Sequence, residues 1–274
     1  MSDGLRPGLL ALDLDGTLIG RSLDVREPVV RAVRQAVDLG IAVTLVTGRM
    51  FAAARPIAER LGIGGPIACY QGAAIFDVAS GRIEAEFPLP HAVAMRVYER
   101  ARRDGYHVQM YAADRFYVEA LNRYSAFYAR ISGTAPIVVD SLAVAFAGRD
   151  TTKLNIVTEP ERTEACAAMI AEIAGGEAYV TRSNPEFVEV INKDANKGRA
   201  LATIAAQLGV ERARIVAVGD SYNDVPLLQA AGFGVAMASA PPELKAVADA
   251  VVGDVDHDGV AEAIGRFVLR GVAS

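Results

Sequence analysis

The stretch "GLLALDLDGTLIG", Gly8 to Gly20, is apolar for most of its length and then places two acids, Asp13 and Asp15, one residue apart. In an extended run side chains alternate between faces, so both carboxylates would point the same way. At a separation of about 4 Å and a near-surface dielectric, such a pair repels by about 4 kcal/mol. A chain that keeps this arrangement implies something positive between the two acids.

Outward from this stretch, apolar strand-like runs alternate with helical patterns. In "EPVVRAVRQAVDLG", Val29, Val30, Val33 and Val37 share one helical face and Gly40 supplies a stop. "IAVTLVTG" is a second apolar run, a helix fits Phe51 to Leu61, and "PIACYQGAAIFD" reads as strand and hairpin. Near-continuously apolar strands alternating with helices indicate a parallel sheet covered on both faces. The pattern changes near Gly81. "RIEAEFPLP", "HVQMYAADRFYVEA" and "TTKLNIVT" read as half-exposed strands, between amphipathic helices. The first pattern resumes with "KGRALATIAAQLGV", "RIVAVGD", "NDVPLLQAAG" and "FGVAMA". The expected fold is therefore α/β. A doubly wound, Rossmann-like core is formed by residues 1–81 and 186–274, with an inserted α+β domain at 82–185.

A hydrophobic fraction of 52% against 22% charged supplies a packed core and excludes disorder. The net charge of −5, without basic runs, argues against nucleic acid or an anionic membrane surface as partner. Cys69 and Cys166 stand far apart in apolar surroundings and read as buried thiols. The opening "MSDGLRPG" lacks the apolar stretch of a signal peptide, and no apolar run approaches the roughly 18 residues of a membrane span. A soluble, cytoplasmic protein is the expectation.

Open parallel sheets bind ligands beyond the carboxyl ends of their strands. There this sequence places Asp13 and Asp15, then Thr47 and Gly48, then Asp220 with Asp224 beyond, while Lys197 opens a helix after "NKDAN". Clustered carboxylates are hard oxygen ligands that suit Mg²⁺. Thr47 offers a hydroxyl and neighbouring backbone N–H groups to a phosphate oxygen, and Lys197 a point charge. Beside a metal, one carboxylate can attack phosphorus, and a second can protonate the leaving oxygen and then activate water.

"DLDGT" (13–17), "VTGR" (46–49), "NKG" (196–198) and "GDSYND" (219–224) resemble, in order, the motifs of the haloacid dehalogenase superfamily. The long insert is similar to a type C2 cap domain, and "FVEVINKDANKG" resembles the Cof-type, class IIB phosphatases. The resemblance implies Mg²⁺-dependent hydrolysis of a small phosphomonoester through an aspartyl phosphate, first of all a sugar phosphate, with pyridoxal phosphate and flavin-type phosphates open beside it. It implies that Asp13 is the nucleophile and a metal ligand, and that Asp15 is the acid/base with its backbone carbonyl on the metal. Thr47, with Gly48, and Lys197 would hold phosphate, Asn223 would lie on the phosphate side, and Asp220 and Asp224 would face the metal. Two departures concern the shape of the site: Gln71-Gly72 where the family often has Asn-Gly, and Ala238-Ser239-Ala240 in place of Gly-Asn-Ala.

Other readings weigh against these. Lys197 would serve as a surface lysine, Asp224 as a helix cap, and Arg49 as a structural residue. "DVDHDG" (254–259) starts like a calcium loop but reaches Gly265 where a bidentate Glu is needed, so it reads as a polar turn. Lys153, Arg182 and the "YAADRFY" turn fit either substrate contact or plain surface. A phosphomutase would use the same acids, and a non-catalytic phospho-acceptor module would keep one of them without turnover.

Overall fold

The computed structural model describes residues 7–20, 24–182 and 185–269. Residues 1–6, on which the reading of the N-terminus rests, lie outside this range. Among the described residues no helix is long and apolar enough to cross a membrane.

The first sheet has five strands in the order Ala250–Val252, Phe233–Met237, Ile215–Gly219, Leu9–Leu12, Ala42–Leu45, all parallel. The strand Leu9–Leu12 is buried on both sides, and its alternate residues enter different cores. Leu10 and Leu12 pack with Val29, Val30 and Val33 of the helix Glu27–Asp38. Leu9 and Ala11 pack with Ala200, Leu201 and Ile204 of the helix Lys197–Gln207. This two-sided burial makes the strand apolar at every position, and it is the doubly wound α/β core expected from the sequence.

A three-stranded antiparallel sheet, Pro66–Cys69, Ala74–Asp77 and Ile83–Glu86, lies beside it. The single bridge Val46↔Ala68 joins the two sheets. A third sheet has six strands, in the order Ala178–Thr181, Phe187–Asn192, Lys153–Val157, His107–Ala112, Arg115–Val118, Ile137–Val138. One face of it carries Val108, Met110, Leu154, Ile156, Val188 and Val190 against the helices His91–Arg103 and Pro160–Ala174. On the other face Tyr111, Val157, Phe187 and Ile191 join the main core. Both boundaries expected from sequence cut beside strands. Ile83–Glu86 pairs with Ala74–Asp77 rather than with the insert, and Phe187–Asn192 pairs inside the six-stranded sheet rather than with the core. Neither pairing has a local signature, because a strand's hydrophobic alternation does not name its partner.

The "AADR" turn joins two strands with Ala113 and Asp114 both at positive φ, as a type I′ hairpin requires. Ala113 at its tip is exposed, but Asp114 turns back onto the protein. The Asp114 carboxylate accepts from the backbone N–H groups of Phe51 and Ala52 at 2.9 Å each and from the Tyr70 hydroxyl at 2.6 Å. The helix Phe51–Leu61 has no cap from its own Met50, so a residue 63 positions away satisfies its orphan amides. Asp114→Ala is expected to destabilise the protein by about 1–2 kcal/mol, a typical cost of losing a helix cap. Urea unfolding checks this, and an unchanged midpoint would dismiss the contact as incidental.

Candidate active site

The strand Leu9–Leu12 ends before the two acids, so strand alternation does not extend to Asp15. Asp13 is buried at 3% exposure, whereas the Asp15 side chain is 48% exposed. The positive charge expected between them is divided. Lys197 Nζ stands 2.6 Å from Asp13 Oδ1. The Arg49 guanidinium takes Asp15 in a bidentate grip, with Nη2–Oδ1 at 2.6 Å and Nε–Oδ2 at 2.9 Å. Arg49, expected to be structural, thus holds Asp15, and its place at the end of "VTGR" is its signal in the sequence.

Lys197 opens its helix and is 1% exposed, held also 2.6 Å from Asp224 Oδ1. Asp224 Oδ2 accepts the backbone N–H groups of Asp220 and Ser221 at 3.0 Å each. Asp224 thus folds the loop beyond Ile215–Gly219 and does not cap the helix Val225–Ala230 through its side chain. Asp220 in turn accepts from the Thr17 hydroxyl at 2.8 Å. Gly16 permits this approach: its φ is +88°, and a Cβ there would lie 2.1 Å from Asp220 Oδ2. Among the described residues, Asp13, Asp220 and Asp224 each present a ligand atom within 4.8 Å of the others.

Thr47 is fully buried just past the strand Ala42–Leu45, and its Oγ1 accepts the Arg49 N–H at 3.1 Å. Asn223 donates from Nδ2 to Gln71 Oε1 at 2.9 Å, and its buried Oδ1 finds no partner among the described residues. Beside Asp15 opens a cavity of about 140 Å³, whose apolar walls include Met50, Ala53, Tyr128, Ile131 and Phe187. Lys153 and Glu189 also line it, so Lys153 faces this cavity, whereas Arg182 pairs on the surface with Glu164.

Three carboxylates around one ammonium leave net negative charge in a dry place. Burial pushes Asp13 well above the ordinary aspartate range, the charge of Asp224 adds to this, and Lys197 offsets only part. Burial, followed by Asp224, raises Asp220 to about 6. Burial opposes the Lys197 charge, yet Asp13 and Asp224 hold its pKa above the ordinary lysine value. Such a donor set, all carboxylate oxygen and short of positive charge, fits a hard divalent cation. A carboxyl raised on folding binds more protons in the folded state. Its contribution is complete below the unfolded value of about 4 and is lost as pH rises through the folded one. Without divalent cation, the urea midpoint is expected to fall as pH rises from about 4 through about 6, the range set by Asp220. Added Mg²⁺ should recover more stability at about pH 7 than at about pH 5. A midpoint flat across this range, with and without the ion, would count against both the raised carboxyls and the cation site.

A family model described as haloacid dehalogenase-like hydrolase matches residues 10–264. The 5-amino-6-(5-phospho-D-ribitylamino)uracil phosphatase YcsE of Bacillus subtilis is 28% identical over 263 residues, covering 95% of this chain and 96% of its own. The pyridoxal phosphate phosphatase YbhA of Escherichia coli is 26% identical over 263 residues, covering 93% of this chain and 97% of its own. The crystal structure of a haloacid dehalogenase-like hydrolase from Bacteroides thetaiotaomicron superposes with a TM-score of 0.85 at 29% identity, covering 95% of this chain and 99% of that one. With the match running through all four sequence motifs and the shared architecture extending over nearly the whole chain, the protein belongs to the haloacid dehalogenase-like hydrolases.

Proposed function

We propose that this hydrolase cleaves a small phosphomonoester by moving the phosphoryl group first to Asp13 and then to water. The observation that carries this reading is Lys197 fixed between Asp13 and Asp224, with Asp220 beside them. Lys197 holds Asp13 Oδ1, which orients the carboxylate at the strand end and leaves Oδ2 as the attacking oxygen. The same ammonium offsets charge gathering on the phosphoryl oxygens. Thr47, with the Gly48 and Arg49 backbone, would receive a phosphate oxygen.

Mg²⁺ would be held by the Asp13 and Asp220 carboxylates and the Asp15 carbonyl, and when bound it would neutralise charge on the phosphate. Asp224 has both oxygens engaged, which supports a role in holding the loop against the cation side. Asp15 would protonate the leaving oxygen and later take a proton from water. Both of its oxygens are on Arg49, so the pair must open as substrate enters, and Arg49 then meets the phosphate in its place.

The six-stranded sheet and its helices, residues 91–192, would form the cap over this edge. The leaving group would lie in the cavity beside Asp15. Its walls of Met50, Tyr128, Ile131 and Phe187 favour a flat, partly apolar body, and Ser132, Lys153 and Glu189 on the same lining offer that body polar partners. The named substrates of YcsE and YbhA both carry a nitrogen heterocycle, which agrees with such a pocket.

Asp13→Asn is expected to abolish phosphate release while the circular dichroism spectrum stays unchanged. Acid quench of the wild-type enzyme with substrate, then borohydride reduction, should convert Asp13 to homoserine. A variant with near-normal turnover removes Asp13 as nucleophile. In a panel ranked by kcat/KM, pyridoxal phosphate and other heterocyclic esters should exceed hexose phosphates by at least about tenfold. The reverse order would overturn the assignment of the cavity walls.

A further inference from the structure

Two buried charges lie outside the carboxylate cluster. Lys153 and Glu189, each 1% exposed, pair across the neighbouring strands Lys153–Val157 and Phe187–Asn192. Removing two charges from water is repaid only by further hydrogen bonds, and an apolar pair of similar volume would hold the sheet as well. Here the further bonds lead to the other body of the protein. Lys153 Nζ donates to the Gly48 carbonyl at 3.2 Å. Gln71 Nε2 donates to the second Glu189 oxygen at 2.5 Å, and Gln71 Oε1 accepts from Asn223 Nδ2 at 2.9 Å. One unbroken chain of side chains thus joins the six-stranded sheet to the loop at Gly48 and to the loop that carries Asp220 and Asp224.

Gln71 is the joint of this chain, and its backbone is left-handed, with φ +60°, a conformation uncommon for glutamine. The backbone bond from Gln71 N to Thr47 O, at 2.9 Å, helps to hold it there. A Cβ at Gly48 would stand 2.3 Å from Gln71 Nε2, so the side chain passes directly over that glycine. An asparagine at 71 is one methylene shorter and falls short of Glu189.

We propose that Lys153, Glu189 and Gln71 form a positioning latch that sets the Gly48 peptide and Asn223 relative to Asp13 once the six-stranded sheet is seated. The proposal rests on Asp13 acting as the phosphoryl acceptor. None of the three residues touches the reacting atoms. Gln71 does not line the cavity beside Asp15, so its part in the latch acts on the transfer step itself and on every ester, whatever its leaving group.

Gln71→Asn is the informative variant, because asparagine tolerates the left-handed conformation while its shorter side chain gives up the reach to Glu189 and to Asn223 together. Its thermal midpoint should fall by a few degrees with the transition still cooperative, since Glu189 loses one donor and keeps Lys153. Its kcat should fall about ten- to a hundredfold, as expected when a catalytic group is misplaced by a fraction of an ångström to an ångström. The fall should be of similar size for p-nitrophenyl phosphate and for glycerol phosphate, with KM little changed. Amide exchange over residues 47–49 and 220–224 should quicken, a readout that needs no turnover. The double variant Lys153→Met with Glu189→Leu, which removes both buried charges together, should fold and show the same loss. If wild-type protein with Mg²⁺ releases no phosphate, the Asp13 reading falls, and the exchange data alone judge the latch. The latch is overturned if both variants keep kcat within about threefold of wild type with unchanged exchange. A loss in Gln71→Asn confined to the KM of one ester also overturns it, since that is the mark of a leaving-group contact.

Discussion

The ammonium of Lys197 lies 2.6 Å from Asp13 and 2.6 Å from Asp224, in a place with almost no access to water. A lone buried charge is too costly to keep, so the lysine obliges both acids to stay with it, and they oblige it. Through Asp13 it fixes the end of the strand Leu9–Leu12. Through Asp224, which also gathers the backbone of Asp220 and Ser221, it fixes the loop after the neighbouring strand. Three segments distant in the chain are placed by one electrostatic knot. Burial, and then the charge of Asp224, raises Asp13 and Asp220, and this shortage of positive charge fits the cluster to a hard cation.

Much of this was legible in sequence because parallel strands end at a common edge. A strand buried on both faces is apolar throughout, so the first polar residues after it mark the rim, as at Asp13, Thr47 and Asp220. The alternation argument failed at Asp15 for a local reason: the strand stops at Leu12 and Gly16 turns the chain with positive φ. The pairing of Arg49 with Asp15 is not legible because the two lie 34 residues apart, and spacing does not disclose which acid an arginine will reach. Lys153 and Glu189 were equally hidden. Each sits in a strand that reads as ordinary, and only the pairing of Lys153–Val157 with Phe187–Asn192 brings them together. The boundary expected at 186 places the strand Phe187–Asn192 with the core, yet its hydrogen bonds belong to the other sheet.

The two bodies of the protein therefore meet through polar groups as well as through the shared apolar face. Lys153 and Glu189 reach Gly48 and Gln71 at one point, and Asp114 reaches the start of the helix Phe51–Leu61 at another. The polar contacts are directional and tolerate little displacement, whereas apolar packing is insensitive to orientation. Together they specify where the six-stranded sheet sits over the strand ends.

The helix Phe51–Leu61 follows directly on Thr47–Arg49, and its first amides find their acceptor on a hairpin from another sheet. This bears on chimeras. Exchanging the six-stranded sheet for that of a relative, in order to transplant its selectivity, also exchanges the acceptor for these amides. A donor sheet without an acid at that hairpin tip, or with a turn one residue longer, would fray the helix next to the Thr47 loop. Such a hybrid would lose rate for a reason unrelated to the pocket that was grafted.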